Sequence, residues 1–341
     1  MFGFGMIVIT GLFACSGADY TAQLKEAQTM LENGQISSAN SAYLAILKED
    51  PKQVEAATGA AYVSMLKGDY GKAEELLAGV TGVVENGESA GKNAGDIYLR
   101  RAFVAVEQKE YSVAQQHALA SSLDLGRLLA AEIYLIDGET DKAVELLKQV
   151  SAQPGKKLAK QYLSLLESDN SWLPSYAEAQ ASWALKDYEL AVRSVGAMLG
   201  KLEGVLPDYE ETVLLWASRA AVVGQPEISQ NLLGLNLSGL EASQQLRVEA
   251  TKAMAYYVEG DILKGNSILE SLKDAPSLGV QHMKITTAVV IGEKDPQTAL
   301  ALLKGIDGTA AAQAYSRLGK NKKAINIVDS GLFQKYLEGD M

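Results

Sequence analysis

Pairs of small residues twelve positions apart recur along most of the chain, with apolar residues at helical spacing around them. Successive pairs begin about 36 residues apart on average. A small residue lets two helices cross closely, and the apolar spacing marks the buried stripe of each helix. The pattern therefore predicts nine copies of a helix–turn–helix unit, at Ala27 with Ala39, Ala61 with Ala73, Ala102 with Ala114, Ala131 with Ala143, Ala179 with Ala191, Ala217 with Ser229, Ala253 with Gly265, Thr287 with Ala299, and Ala312 with Ala324.

A glycine follows the first small residue by seven positions in six of these copies, where it would supply the left-handed conformation that ends a helix. These glycines are Gly34, Gly68, Gly138, Gly224, Gly260 and Gly319. Between copies, residues 81–95 predict a Gly-rich loop, and residues 156–168 predict an added amphipathic helix. The whole chain is thus predicted to be all-α.

Charge and composition exclude several function classes. The 341 residues carry 31 basic and 42 acidic side chains, a net charge of −11, which disfavours nucleic-acid binding by bulk electrostatics. One cysteine and two isolated histidines, His117 and His282, leave no cluster at metal-ligand spacing. Residues 87–93 differ from a phosphate-binding loop in glycine spacing and in the residue after the lysine. We therefore expect no metal, no cofactor and no enzymatic activity.

The N-terminal segment Met1–Ala14 is uncharged and largely apolar, and it is shorter than the roughly 20 residues of a membrane-spanning helix. It ends in Leu12-Phe13-Ala14-Cys15, which resembles the lipobox of bacterial lipoproteins. The resemblance implies a signal peptide over residues 1–14, removed on maturation, and a lipid on the Cys15 thiol. A short linker over residues 15–19 would follow. The alternative is an unmodified cysteine in a hydrophobic N-terminal helix.

The repeat frame resembles the tetratricopeptide repeat. Its period, its paired small residues, Pro51 at the end of a copy, and the stretch LKGDYGKAEELL at residues 66–77 all match that family. The resemblance implies a right-handed α-solenoid of about nine such repeats. We expect N-terminal repeats over residues 20–170, and C-terminal repeats with a cap over 171–341. An irregular helical bundle is the alternative.

In this family the first helix of each repeat lines a concave groove that holds a protein partner. Placing the chain in that register implies a partner-binding groove, because aromatic and methionine side chains suit capture of a peptide or helix. Ordinary packing between repeats is the alternative for every one of these positions. The implied groove residues are Tyr62, Met65, Phe103, Glu132, Tyr176, Trp183, Met254 and Tyr257.

Together these features predict a non-catalytic scaffold or adaptor, anchored by lipid to the bacterial outer membrane and facing the periplasm. Its partner would be a protein of a cell-envelope complex for secretion, pilus assembly or polysaccharide export. A regulator or adaptor of periplasmic peptidoglycan enzymes is the alternative function.

Overall fold

The computed structural model describes residues 19–33, 35–86, 94–153 and 155–272, together with residues 284–303 except 286, 289 and 293. Every regular element within these residues is helical, which confirms the all-α prediction. Helices that follow one another along the chain pack against each other, consistent with an all-α solenoid of helical repeats. No helix in this described part is both long enough and apolar enough to cross a membrane.

The helices fall into two compact units, which divide at Glu167. The first unit contains four consecutive helix pairs and one further helix. Its helices are α1 (Thr21–Glu32), α2 (Ile36–Glu49), α3 (Val54–Lys67), α4 (Tyr70–Glu85), α5 (Ala94–Glu107), α6 (Tyr111–Ala120), α7 (Asp124–Ile136), α8 (Thr140–Gln149) and α9 (Gly155–Leu166).

The second unit begins at Ser168 and continues the pairing. A 3₁₀ helix, Leu199–Leu202, directly follows the second α-helix of this unit. Residues 284–291 are helical at every described position. The α-helices with defined bounds are α10 (Trp172–Ala184), α11 (Tyr188–Met198), α12 (Tyr209–Val222), α13 (Pro226–Leu233), α14 (Ala242–Glu259), α15 (Ile262–Ser271) and α16 (Pro296–Leu303).

The paired small residues are among the most deeply buried residues that the structure describes. In the first eight copies both members of each pair are buried, and all but Gly265, which is also buried, have an exposed fraction of 2% or less. A larger side chain at these positions would separate the two helices, so the frame read from the sequence coincides with the helix crossings. The ninth copy, Ala312 with Ala324, lies outside the described residues.

The residue seven positions after the first small residue adopts a left-handed conformation in six described copies. Glycine supplies it at Gly68, Gly138, Gly224 and Gly260, with φ between 75° and 97°. Lysine occupies the same position at Lys109 and Lys186, with φ of 60° and 64°. The turn geometry is therefore maintained where the glycine is missing. Gly34 and Gly319 lie outside the described residues.

The predictions for two segments between repeat copies have different outcomes. The added helix predicted at residues 156–168 is present as α9. The Gly-rich loop predicted at residues 81–95 is shorter than expected, because Thr81–Glu85 continue α4 and Ala94 begins α5. Burial of Thr81 and Val84 against the core gives the last turn of α4 its stability.

Candidate functional site

The residues assigned to the groove fall into two groups by burial. Tyr62, Met65 and Phe103 are half-buried, so part of each side chain remains available to a partner. The other five are buried, with exposed fractions of 6% or less: Glu132, Tyr176, Trp183, Met254 and Tyr257. Their side chains contribute mainly to packing within the described chain, and their contact with a partner stays a prediction.

The three half-buried groove residues lie on α3 and α5, which both pack against α4. On α3, Met65 follows Tyr62 by three residues, so both lie on one helix face. On α5, Asp96, Arg100 and Phe103 have the i, i+4, i+7 spacing of one face, and all three are half-buried. We call these five residues the α3–α5 face.

The α3–α5 face is supported by a buried cluster to which α3, α4 and α5 all contribute. Ala57 and Ala61 of α3, and Ile97 and Val104 of α5, belong to one buried cluster that Leu77 of α4 helps to fill. Met65 also packs against this cluster. The partly exposed side chains of the face are therefore mounted on rigid helices whose opposite sides are fixed in the core.

Arg100 is the only cation of the five-residue face. Burial lowers the pKa of its guanidinium, and the negative charge of Asp96, one helical turn earlier, partly offsets this change. Within the described residues, the Arg100 guanidinium forms neither a hydrogen bond nor an ion pair. A guanidinium has five N–H donors, so Arg100 retains capacity for an anionic ligand.

The next residue, Arg101, is part of a different cluster. Its Nε and Nη2 donate to Oε1 of Glu74 at 2.8 and 2.6 Å, and its Nη1 donates to Thr81. His117 lies nearby, and burial followed by the positive charge of Arg101 lowers the pKa of its imidazole, while Glu74 raises it. Arg101 thus joins α4 to α5 and its charge is neutralised within the fold.

Glu132 of α7 is a buried carboxyl group. Its Oε1 accepts a hydrogen bond of 3.2 Å from the hydroxyl of Tyr162 on α9. Burial raises the pKa of Glu132 to about 8, although the Tyr162 hydrogen bond lowers it. Glu132 is therefore predominantly protonated at neutral pH, and it links the last pair of the first unit to α9.

Two predicted groove residues of the second unit, Tyr176 and Trp183, belong to an aromatic cluster. The indole of Trp216 donates to the Tyr176 hydroxyl at 3.2 Å and packs edge-on against Trp183 at 5.7 Å between ring centroids. The Arg219 guanidinium lies 4.4 Å from the Trp183 ring and 4.6 Å from the Trp216 ring. These cation–π contacts join α10, which carries Trp183, to α12, which carries Trp216 and Arg219.

Met254 and Tyr257 belong to α14. Met254 is 1% exposed, and Tyr257 donates to Oδ1 of Asn266 on α15 at 2.6 Å. The Tyr257 ring also covers Gly265, where an added Cβ would approach the ring to 2.9 Å. Tyr257 therefore helps to hold the α14–α15 pair together.

No group of three or more His, Cys, Asp or Glu side chains in the described residues is arranged to hold a metal ion. The lipid-attachment prediction at Cys15, His282 and the loop at residues 87–93 lie outside the described residues.

Asp96 and Arg100 were not assigned to the groove from the sequence. A signal for them was present, since they precede Phe103 by seven and three residues on the same predicted helix. What the pattern could not reveal is that Arg100 forms no ion pair within the described residues, because that depends on side chains from neighbouring helices.

No protein-family model matches the chain, and no curated protein matches it either.

Proposed function

We propose that this protein is a non-catalytic scaffold or adaptor of the bacterial cell envelope, built from tetratricopeptide-type repeats, that binds a segment of a protein partner on the α3–α5 face. The observation that carries the proposal is the combination of half-buried Tyr62, Met65 and Phe103 with Arg100, which has no ion pair in the described residues. Aromatic, methionine and arginine side chains are enriched where proteins bind each other.

The rigid support of the α3–α5 face favours binding of a partner over catalysis. The helices hold the side chains in place through a shared core, so little conformational entropy is lost when a partner docks. The face is formed by consecutive helix pairs, which suits an extended segment of a partner better than a small molecule.

We further propose that lipid on Cys15 tethers the protein to the outer membrane, facing the periplasm. This part of the proposal is supported by the lipobox resemblance at residues 12–15. Replacing Cys15 with serine should abolish labelling by an alkyne fatty acid and release the protein from membranes. A variant that stays membrane-bound with unchanged labelling would contradict the tether while leaving partner binding open.

Site-specific photo-crosslinking in cells tests partner binding. A photoreactive phenylalanine analogue replaces Met65 or Phe103 in the full-length protein, and a control replaces Leu119, a 40%-exposed residue of α6 outside the face. We expect the same protein to crosslink at both positions of the face and not at Leu119. Equal products at all three positions, or none, would contradict the proposal.

The identity of the crosslinked protein distinguishes the two functional classes. A subunit of a secretion, pilus or polysaccharide-export complex supports the scaffold assignment. A peptidoglycan hydrolase would replace it with the regulatory alternative.

A further inference from the structure

The helix pair α3–α4 receives a helix from the pair before it. Tyr43 and Ile46 of α2 belong to a buried cluster with Ala60 and Val63 of α3. Leu76 of α4 packs against the same cluster. We call Ala60, Val63 and Leu76 the receiving surface of this pair. A repeat array is built by stacking, so each pair presents such a surface to the helix that precedes it.

The first pair, α1–α2, has a corresponding surface that no described helix covers. Its copy of the repeat begins 34 residues before that of α3–α4, so the matching residues are Glu26, Thr29 and Ala42. Glu26 and Thr29 are exposed, whereas Ala60 and Val63 have an exposed fraction of 0%. The part of the chain that the structure describes therefore leaves the receiving surface of α1–α2 open.

A groove of about 160 Å³ between α1 and α2 includes two residues of this surface, Glu26 and Ala42, in its lining. Met30 and Ile46 line it as well, so its least exposed part is apolar. Glu49 of α2 provides a second carboxylate, and both glutamates are exposed. The terminal repeat of an array normally has a polar outer face. The α1–α2 groove instead combines an apolar surface with two carboxylates.

We propose that the α1–α2 groove binds an amphipathic helix of a protein partner. The apolar stripe of this helix packs on Met30 and Ala42. Its flanking lysine or arginine side chains pair with Glu26 of α1 and Glu49 of α2. This inference goes beyond the proposed function, since it concerns a surface outside the α3–α5 face. A helix is the expected occupant because the equivalent surface of α3–α4 holds α2.

The chemistry of this occupant follows from α2 and from the charges of the groove. Tyr43, Ile46 and Leu47 of α2, at i, i+3 and i+4, provide the apolar stripe that packs on the next pair. The same spacing in a partner would present its stripe to the α1–α2 groove. Both charged residues that line the groove are carboxylates, which favours a basic flank and disfavours an acidic one. The net charge of −11 makes a second copy of this chain a poor occupant.

Fluorescence polarisation with designed helical peptides tests the inference on the full-length protein. The probe is a labelled, Ala-rich peptide of about 20 residues, with a Tyr-Ile-Leu stripe at i, i+3 and i+4 and lysines beside the stripe. Two versions of the same length carry glutamates in place of the lysines, or alanines in place of the stripe. We expect the lysine peptide to bind at least about tenfold more tightly than either version, because the first loses charge complementarity and the second loses apolar burial.

Variants separate the groove from the general acidity of the chain. Glu26→Gln combined with Glu49→Gln should weaken binding of the lysine peptide about fivefold, through loss of two exposed ion pairs. Glu110→Gln combined with Glu145→Gln is the matched control, since it removes the same charge at exposed positions elsewhere. This control should change the affinity less than about twofold. Ala45→Trp, at an exposed residue that lines the groove, should block it and abolish binding. Thermal melting of each variant verifies folding.

Four results would overturn the inference. Equal binding of the lysine and glutamate peptides would contradict the basic flank. An equal loss of affinity in the two double variants would assign binding to the overall charge of the chain. Binding that survives Ala45→Trp would place the peptide outside the groove. If the lysine peptide does not bind at ~1 mM, the α1–α2 surface is a solvent-facing end of the array. Crosslinking at Met65 and Phe103 decides the proposed function independently of these results.

Discussion

Arg100 and Arg101 are adjacent on α5, yet only Arg101 has a carboxylate partner. The Arg101 guanidinium lies 2.6 Å from Oε1 of Glu74 on α4, whereas Arg100 lies on the face shared with α3 and has no ion pair in the described residues. Consecutive helical residues point about 100° apart, so Arg101 reaches the neighbouring helix α4 while Arg100 lies on a different side of α5. The ion pair between Arg101 and Glu74 therefore joins α4 to α5.

Replacing Arg100 with methionine should stabilise the protein. Methionine keeps the apolar stem that packs on the helix and removes a charge that burial has partly desolvated. We expect the free energy of unfolding to rise by up to about 1 kcal/mol. Arg101→Met should lower it by about 1 kcal/mol, because Glu74 loses its partner. Urea unfolding of both variants measures the difference, and destabilisation by Arg100→Met would indicate a structural role for Arg100.

Glu132 should make stability depend on pH in the direction opposite to an ordinary ion-paired carboxylate. Its folded-state pKa of about 8 lies above the ordinary value of 4.5, so the folded protein binds the proton more tightly than the unfolded chain. Stability contributed by this proton is complete below about pH 4.5 and is lost as the pH rises to 8. At pH 7 the loss is roughly 3 kcal/mol.

Glu132→Gln should abolish this dependence, because an amide cannot ionise and its oxygen still accepts from Tyr162. The variant should be about 4 kcal/mol more stable than the parent near pH 8, and the gain should shrink toward pH 5. Glu145→Gln, at an exposed position of α8, is the control. Denaturant unfolding from pH 5.5 to 8.5 provides the curves; parallel curves for the parent and Glu132→Gln would show that Glu132 does not carry a proton in the folded state.

Lys109→Gly should stabilise the turn between α5 and α6. Lys109 has φ of 60°, which is unfavourable for a residue with a Cβ, and its N–H donates to Val106 as that of Gly68 does to Met65 in the equivalent turn. Glycine adopts this conformation without strain, so we expect a gain of about 0.5–1 kcal/mol. Lys109→Ala controls for loss of the side chain and should give no gain. A thermal melt distinguishes the two, and equal effects would exclude backbone strain as the cause.

Gly126→Ala should destabilise the α6–α7 connection. A Cβ at Gly126 would overlap the hydroxyl of Ser121 and the carbonyl oxygen of Ala118. The Ser121 hydroxyl donates a hydrogen bond of 2.6 Å to that carbonyl oxygen. Because one of these groups is backbone, the overlap cannot be relieved by a rotamer change, and we expect a loss of about 2 kcal/mol or more. Gly79→Ala in α4 meets nothing within 4 Å and should instead gain about 1 kcal/mol from helix propensity. A neutral Gly126→Ala would mean that the α6–α7 turn relaxes easily.

The helical pairs could be predicted from the sequence because they depend on local periodicity. Ala61 with Ala73 and Ala131 with Ala143 show the same spacing as other pairs, and all are buried at helix crossings. The left-handed turn was predicted only where glycine occurs, and Lys109 shows that tertiary packing imposes the same conformation on another residue. The end of α4 was missed because the burial of Val84 outweighs the local glycine content.

The candidate site depends on contacts that no local pattern contains. Sequence register assigned Tyr62, Phe103 and Glu132 to one groove, but burial differs among them because it depends on which helices pack beyond each repeat. Tyr162 of the added helix α9 lies 30 residues further along the chain, and its hydroxyl donates to the buried Glu132 carboxyl group. The state of Arg100 likewise depends on its burial and on the nearby charge of Asp96, neither of which the repeat pattern gives.

The sequence by itself determined the all-α architecture, the positions where helices cross and most of the turns between them. Each of these follows from small and apolar residues at spacings shorter than one repeat, where the geometry of a helix leaves little freedom. Tertiary structure alone decided which of the predicted groove positions remain exposed, which carboxyl is held protonated and which arginine forms no ion pair within the described residues. Those properties arise from desolvation and charge pairing between residues of different repeats, and their energies depend on distance in space and not on spacing in the chain.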